Sequence, residues 1–358
     1  MKQVLSKYGD LITGPSDLLA GKAPSPFFHL LMDHMGYLLD TDPEKTISLA
    51  GIARRRKLHP ILKRLLALSL PCPQIIENRN ALTAAPGETA PDDPGITLPD
   101  EPVIWAANHY FKEDALATML AVQRHAYILF GSLPQFYNTL DGLAAYLNGV
   151  VMFNRKTSVS RRSSIPKAVR AMELGADLIV FPEGIWNKSP NALVLDLWPG
   201  IYRIACETGA KVVPVIHYAR DLSNLGRDEP IHTVVDDPIR LDNLTERAAL
   251  NYLRDVLATW TYLMMERYGA DRRETMLGGR TAAQAWEEHL ARRISFVDRY
   301  DKEIERSADF RPRDKARPED VWGAVASIQN ITPGNARLVI SARELMTRLE
   351  REDFQRRF

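Results

Sequence analysis

The segment Asn108-His109-Tyr110-Phe111-Lys112-Glu113-Asp114 places a histidine five positions before an aspartate. The apolar run at 103–107 reads as a strand, and helical spacing begins at Leu116, Met119 and Leu120. The two side chains would then meet across a strand–helix junction. A carboxylate on one ring nitrogen fixes the imidazole tautomer and stabilises the imidazolium formed on proton uptake. The other nitrogen is left to take a proton from a hydroxyl as general base, with an ordinary pKa of ~6.5 close to working pH. The same residues also fit a plain framework. Asp114 can be a carboxylate favoured by a helix start, with His109 merely polar and partly buried.

Two further segments carry chemistry-bearing residues at strand ends, and a third sets a proline within an apolar run. Gly149-Val150-Val151-Met152-Phe153-Asn154-Arg155 delivers an arginine, a bidentate phosphate ligand or a simple exposed strand end. Lys156, Arg161, Arg162 and Lys167 add positive charge nearby. Phe181-Pro182-Glu183-Gly184 follows an apolar run, so Pro182 stops a strand and Gly184 permits close backbone approach. Glu183 could accept hydrogen bonds from a polyol there, or the segment is a turn alone. Val213-Pro214-Val215-Ile216 sets a proline inside an apolar run, which predicts an edge strand or a bulge.

These segments need a scaffold. Short apolar runs at 103–107, 127–130, 150–153, 178–181 and 212–216 alternate with helical spacing between residues 102 and 242. Such alternation predicts an α/β unit with a mixed, largely parallel sheet between flanking helices. Residues 1–77 read as a helical segment, with Phe27, Leu30, Leu31 and Met35 near helical spacing. Within it, Arg54-Arg55-Arg56-Lys57 leads into an apolar stretch ending at Leu70. That stretch suits an anionic lipid surface or a packed helix with a charged edge. Pro, Gly and Asp density makes 78–101 a loop or linker. Residues 243–358 return to helix, opening with Asn243 and Glu246 as a capping box, then Leu250, Leu253, Leu257 and Trp260 on one face. An exposed connection is expected at 301–320 and a last helix near 341–351.

Composition narrows the classes. The chain has 358 residues, 45% hydrophobic and 25% charged, which is ordinary for a folded protein. A net charge of +1 weighs against a dedicated nucleic-acid binder. Two cysteines, Cys72 and Cys206, give neither a disulfide framework nor a cysteine-based zinc site, which fits a reducing, cytoplasmic setting. Neither a signal-peptide pattern nor a run of ~18 apolar residues is present. A soluble or surface-attached chain is expected. A glycine-rich dinucleotide fingerprint, a phosphate loop, His-Glu-x-x-His and Gly-x-Ser-x-Gly are all missing from the sequence.

Taken in order, the four segments resemble those of the glycerolipid acyltransferases, typified by 1-acylglycerol-3-phosphate acyltransferases. The resemblance covers roughly residues 102–220. It implies transfer of a fatty acyl chain from a coenzyme A or acyl-carrier-protein thioester to the hydroxyl of a lysophosphatidate-like acceptor. Other acceptors, such as glycerol-3-phosphate or a lysolipid with another headgroup, and a non-catalytic lipid-binding module are the alternatives. The resemblance makes His109 the base and Asp114 its partner. It assigns Asn108, Arg155, Glu183 and Gly184 to substrate binding. It implies neither a metal nor a cofactor beyond the thioester co-substrate. It fits attachment to the inner face of the cell membrane. Two departures stand out: Asn154 where the family commonly has Asp, and Ile185-Trp186-Asn187 after Gly184 where it commonly has Thr-Arg-Ser. Lys188 is close enough to substitute for the missing arginine.

Overall fold

The computed structural model describes residues 35–70, 72–85, 87–109, 111, 113–131, 140–187, 193–220 and 230–268, with 325–326, 328–329, 331, 336, 338–344 and 346–347. In chain order, a 3-10 turn at Gly36–Leu39 precedes α1 (Pro43–Thr46), α2 (Leu49–Ser69), β1 (Gln74–Ile76) and α3 (Arg79–Thr83). Then follow β2 (Ile104–Ala107), α4 (Asp114–Ala121), β3 (Ala126–Gly131), α5 (Leu140–Asn148), β4 (Val150–Phe153) and α6 (Ser158–Glu173). The series ends with β5 (Asp177–Val180), α7 (Gly200–Thr208), β6 (Val212–Ala219), β7 (Ile231–Val235) and α8 (Glu246–Tyr268).

The strands form one seven-stranded sheet in the order β1-β7-β6-β2-β5-β3-β4. Every pairing is parallel except β6 with β7. β2, β5 and β6 are buried along their whole length, as expected of a parallel sheet covered on both faces. Alternate residues of β2 enter opposite layers. Ile104 and Ala106 join a cluster with Ala168, Ile201 and Leu253, whereas Val103, Trp105 and Ala107 join one with Leu62, Leu66 and Met119. Helices α6, α7 and α8 therefore cover one face, and α2, α4 and α5 the other. The shared strand direction brings the ends of β2, β5, β3 and β4 to one edge of the sheet. His109, Glu183, Gly131 and Arg155 lie at those ends.

The mixed, largely parallel sheet matches the sequence expectation, and five of its strands fall on the five apolar runs. Two strands differ. β1 lies inside the segment expected to be helical, because three residues pairing only with β7 leave too little pattern to see. β7 reads Ile-His-Thr-Val-Val, and its polar His232 and Thr233 break the apolar run. Pro214 lies in an interior strand, not at an edge. The β6 residues around it bond to β2 through alternate positions, as in Ile104 N–H to the Lys211 carbonyl and Asn108 N–H to that of Val215. The Pro214 nitrogen faces β7, where pairing shifts from Val215↔Val235 to Val212↔Ile239. The extra residue on the 235–239 side bulges the ladder just where Pro214 has no N–H to give.

The segment 78–101 is tied down. Asn78 caps α3 through Ala81 N–H, and Arg79 holds Asp93 at 2.8 Å and Asp237 at 2.7 Å. Helix α8 begins after Thr245, whose Oγ1 accepts from Ala248 N–H, so Asn243 is not its cap. Leu253 and Leu257 are buried on α8, and Leu250 and Trp260 pack against them. Residues 338–344 and 346–347 are helical, as the sequence suggests for that region. Met35 is buried. Phe27, Leu30, Leu31 and the stretch 301–320 lie outside the described residues.

Candidate active site

β2 ends at Ala107, and the chain crosses the sheet edge before α4 begins at Asp114. In that short crossing the His109 Nδ1 comes to 2.8 Å from Asp114 Oδ2. Asp114 is fully buried, and the Phe111 N–H donates to the same oxygen at 3.3 Å. Its place in the first turn of α4 adds the favourable end of the helix dipole. The His109 side chain stays 16% exposed, enough for a small group to reach the ring. Phe181 and Trp186 flank it, with ring centroids 4.5 and 5.4 Å away.

The histidine is also fixed through its backbone. Its N–H donates to Glu183 Oε1 at 3.0 Å, and its carbonyl accepts from Asn187 N–H at 2.5 Å. Glu183 Oε2 accepts the Leu195 N–H at 2.8 Å. Burial pushes the Glu183 carboxyl up to about 8, against the pull of these two backbone bonds, and the nearby Asp114 charge pushes the same way. Glu183 is 1% exposed with both oxygens engaged. Through these two bonds it clamps the His109 crossing to the 193–195 turn. Gly184 follows at φ +73°, a conformation that suits glycine, and its N–H closes the turn on the Phe181 carbonyl at 3.0 Å.

Asn108 is tied into the sheet. It is buried, its Nδ2 donates to the His217 carbonyl at 2.9 Å, and its Oδ1 accepts the His217 N–H at 2.8 Å. Its amide joins β2 to β6. Arg155 sits just past β4 on the same edge, three strand steps or ~14 Å along it from β2. Its side chain lies over Gly131, where a Cβ would come 1.9 Å from Arg155 Nε. Gly131 at the end of β3 thus lets the guanidinium reach back along the edge, a requirement that only the folded backbone reveals. Asn154, the departure from the family pattern, accepts the Lys156 N–H at 2.8 Å and shapes the turn. Trp186 donates from Nε1 to the Phe111 carbonyl at 3.0 Å and packs beside Leu70, Cys72 and Phe111. Lys188 lies outside the described residues.

Sequence reasoning missed the polar residues behind the dyad: Thr118, His217, Thr233 and Gln74. Thr118 Oγ1 contacts His217 Nε2 at 2.8 Å, and His217 Nδ1 contacts Thr233 Oγ1 at 2.9 Å. The available signal was a histidine inside an otherwise apolar strand, since a buried ring needs partners on both nitrogens. Among the described residues no group of three or more His, Cys, Asp or Glu side chains is placed to hold a metal ion.

A hydrogen-bonded histidine–carboxylate pair, an aromatic wall and an arginine along one sheet edge make a site for proton removal beside an anionic group. Residues 85–218 match the Acyltransferase family model. A 1-acyl-sn-glycerol-3-phosphate acyltransferase of Chlamydomonas reinhardtii is 30% identical over 117 residues, which are 32% of this chain and 33% of that protein. The chain thus spans about a third of the length of that relative. Among solved structures, the 1-acyl-sn-glycerophosphate (LPA) acyltransferase PlsC of Thermotoga maritima aligns with a TM-score of 0.42 and 18% identity, over 68% of this chain and 95% of that one. The matched segment 85–218 runs from the loop before β2 into the last residues of β6 and holds all four of the segments singled out in the sequence. Residues 85–218 are thus similar to an Acyltransferase domain, and part of that segment is similar to a 1-acyl-sn-glycerol-3-phosphate acyltransferase.

Proposed function

We propose that the protein transfers a fatty acyl chain from a coenzyme A or acyl-carrier-protein thioester to the free hydroxyl of lysophosphatidate. The observation that carries this reading is the 2.8 Å contact between His109 Nδ1 and the buried Asp114 carboxylate. With Nδ1–H committed to Asp114, Nε2 takes the acceptor's hydroxyl proton. The acceptor oxygen attacks the thioester carbonyl, and a C–O bond forms as the carbonyl electrons move onto oxygen. When the tetrahedral intermediate collapses, the C–S bond breaks. The thiolate takes the proton back from the imidazolium, leaving ester, free thiol and neutral His109. Asp114 stabilises the imidazolium between the two proton transfers. Arg155 supplies the cation for the acceptor phosphate, and Phe181 and Trp186 cover its apolar part.

The protein works at the inner face of the cell membrane in this reading. Helix α2 carries six basic residues and no acidic one. Leu62 and Leu66 face the core, while Leu58, Ile61, Leu65 and Leu68 are 49%, 60%, 57% and 84% exposed. Arg54, Lys57 and Arg64 are exposed along the same helix. This apolar and basic face runs toward Leu70, which packs against the same small cluster, around Cys72 and Phe111, as Trp186 beside His109. Among the described residues no helix is long and apolar enough to cross a membrane. Attachment to anionic lipid, at ~1 kcal/mol per basic residue near the surface, would set the cleft against its acceptor.

The experiment is thiol release from one acyl-coenzyme A and one acyl-carrier-protein donor, with and without lysophosphatidate, glycerol-3-phosphate and a phosphate-free lysolipid. Release that depends on lysophosphatidate is expected. Release without acceptor would mean a thioesterase, and none with any acceptor a binding module. For attachment, binding to anionic vesicles should fall as salt rises, and Leu65→Glu with Leu68→Glu should abolish it. Equal binding to neutral and anionic vesicles at every salt level would overturn the surface role of α2.

A further inference from the structure

His217 is fully buried in β6, and it grips both arms of the dyad. Its backbone N–H and carbonyl are held by the Asn108 amide, which fixes the chain one residue before His109. Its ring reaches α4 through Thr118, whose hydroxyl donates to the Asp114 carbonyl at 2.7 Å. Behind the ring, Thr233 Oγ1 accepts from Gln74 Nε2 at 2.9 Å, and the same amide nitrogen donates to the Ala117 carbonyl at 2.9 Å.

The donors in this chain run one way. The Asp114 carbonyl accepts only, so the single Thr118 hydroxyl proton is spent on it. Thr118 Oγ1 must then receive its second bond from a protonated His217 Nε2. Burial pushes the His217 imidazole down to about 3, so the ring is neutral and Nδ1 is an acceptor. Thr233 donates to Nδ1, and Gln74 donates to Thr233. Every proton has one place, and the line ends on the helical turn from which the Asp114 carboxylate projects.

We infer that His217, acting through Thr118 and Asn108, is a positioning residue for the His109–Asp114 pair. This rests on the acyl-transfer reading of that pair, and the test separates the two. Thr118→Val removes the hydroxyl at nearly constant volume. Turnover should fall about 3- to 10-fold, the effect of one lost hydrogen bond, with the acceptor KM unchanged and Thr118→Ser restoring the rate. Nitrogen-resolved imidazole spectra of the full chain provide a readout independent of activity. Wild type should show His217 as the Nε2–H tautomer. Thr233→Val removes the donor to Nδ1 and should populate the Nδ1–H tautomer. The His109 Nδ1–H signal should move in both variants. An unchanged His109 signal in both, or a wild-type His217 carrying its proton on Nδ1, overturns the inference. If Thr118→Val does not fold, Thr233→Val decides by the same signal, because it leaves the Thr118 hydroxyl in place. A shifted signal in a protein that releases thiol with no acceptor sustains the positioning role and sinks the acyl-transfer reading instead.

Discussion

Among the described residues two histidine–carboxylate pairs form, and they are built differently. His109 meets Asp114 at 2.8 Å across the β2–α4 crossing. On the other face of the sheet, His232 of β7 meets Glu77 Oε1 at 2.5 Å, and the Tyr268 hydroxyl donates to Glu77 Oε2 at 2.5 Å. The Tyr268 ring stacks on the His232 ring, with centroids 3.7 Å apart and planes 8° from parallel. Glu77 therefore joins three elements: the end of β1, β7 and the end of α8. One face of the His232 ring is filled by the chain's own tyrosine, whereas His109 looks along a strand-end edge that Phe181 and Trp186 line without closing. A histidine beside a carboxylate is common to both. His109 stands at the carboxyl ends of parallel strands, the edge where open α/β sheets receive ligands, and in the proposed reading that pair meets the substrate. The other pair is a staple.

The largest expected effect separates the two pairs directly. His109→Ala should cost 10²–10⁴-fold or more in acceptor-dependent thiol release, as loss of a general base does. Asp114→Asn added to it should cost little further, because the two act as one unit. His232→Ala should leave the rate per folded molecule within a few-fold of wild type. Steady-state kinetics on wild type, His109→Ala, Asp114→Asn, the double variant and His232→Ala checks this. Full additivity of the first two losses, or an equal loss at His232, would erase the distinction.

A smaller effect tests the staple. Glu77→Gln keeps the shape and removes the charge from both short bonds. A charge-assisted hydrogen bond contributes about 1.5–3 kcal/mol, and loss of unfolding free energy of that size is expected, with acyl transfer unchanged at a temperature where the variant is folded. Denaturant titration measures the first and the rate assay the second. A drop in rate without a drop in stability would make the second pair functional.

How much of this was legible beforehand follows from what each residue needs. Five strands announced themselves because a strand buried on both faces must be apolar throughout, as Leu178, Ile179 and Val180 are. His109, Asp114, Arg155 and Glu183 stood out because a charged or titratable residue just after such a run sits at the sheet edge. β1 and β7 were hidden because their stability comes from pairing over distance, Gln74 with Ile231, and not from their own pattern. The backbone contacts of Asn108 and Glu183 were hidden because sequence cannot tell a polar side chain aimed at solvent from one spent on a neighbouring backbone. The Thr118–His217–Thr233–Gln74 line joins residues up to 159 positions apart, a separation visible only once the strands are in register.

The smallest effect concerns Glu183, the carboxyl that clamps the His109 crossing, and it is read in pH. Burial holds its folded-state pKa at about 8, well above the ~4.3 of an exposed glutamate. Between those values the folded chain holds a proton that the unfolded chain has lost. Stability carried by that proton is complete below the unfolded pKa and drains away as pH rises through the folded one. Wild type should therefore lose stability from pH 5 to pH 8 more steeply than Glu183→Gln, in which nothing titrates. The amide is not a neutral replacement. Its NH2 cannot accept either backbone N–H, so one of the bonds from His109 and Leu195 is lost, and the variant should start less stable at pH 5. The two curves should converge as pH rises. Melting profiles of both proteins at half-unit steps check the slopes, and parallel curves would show that the clamp is ionised in the folded protein across that range.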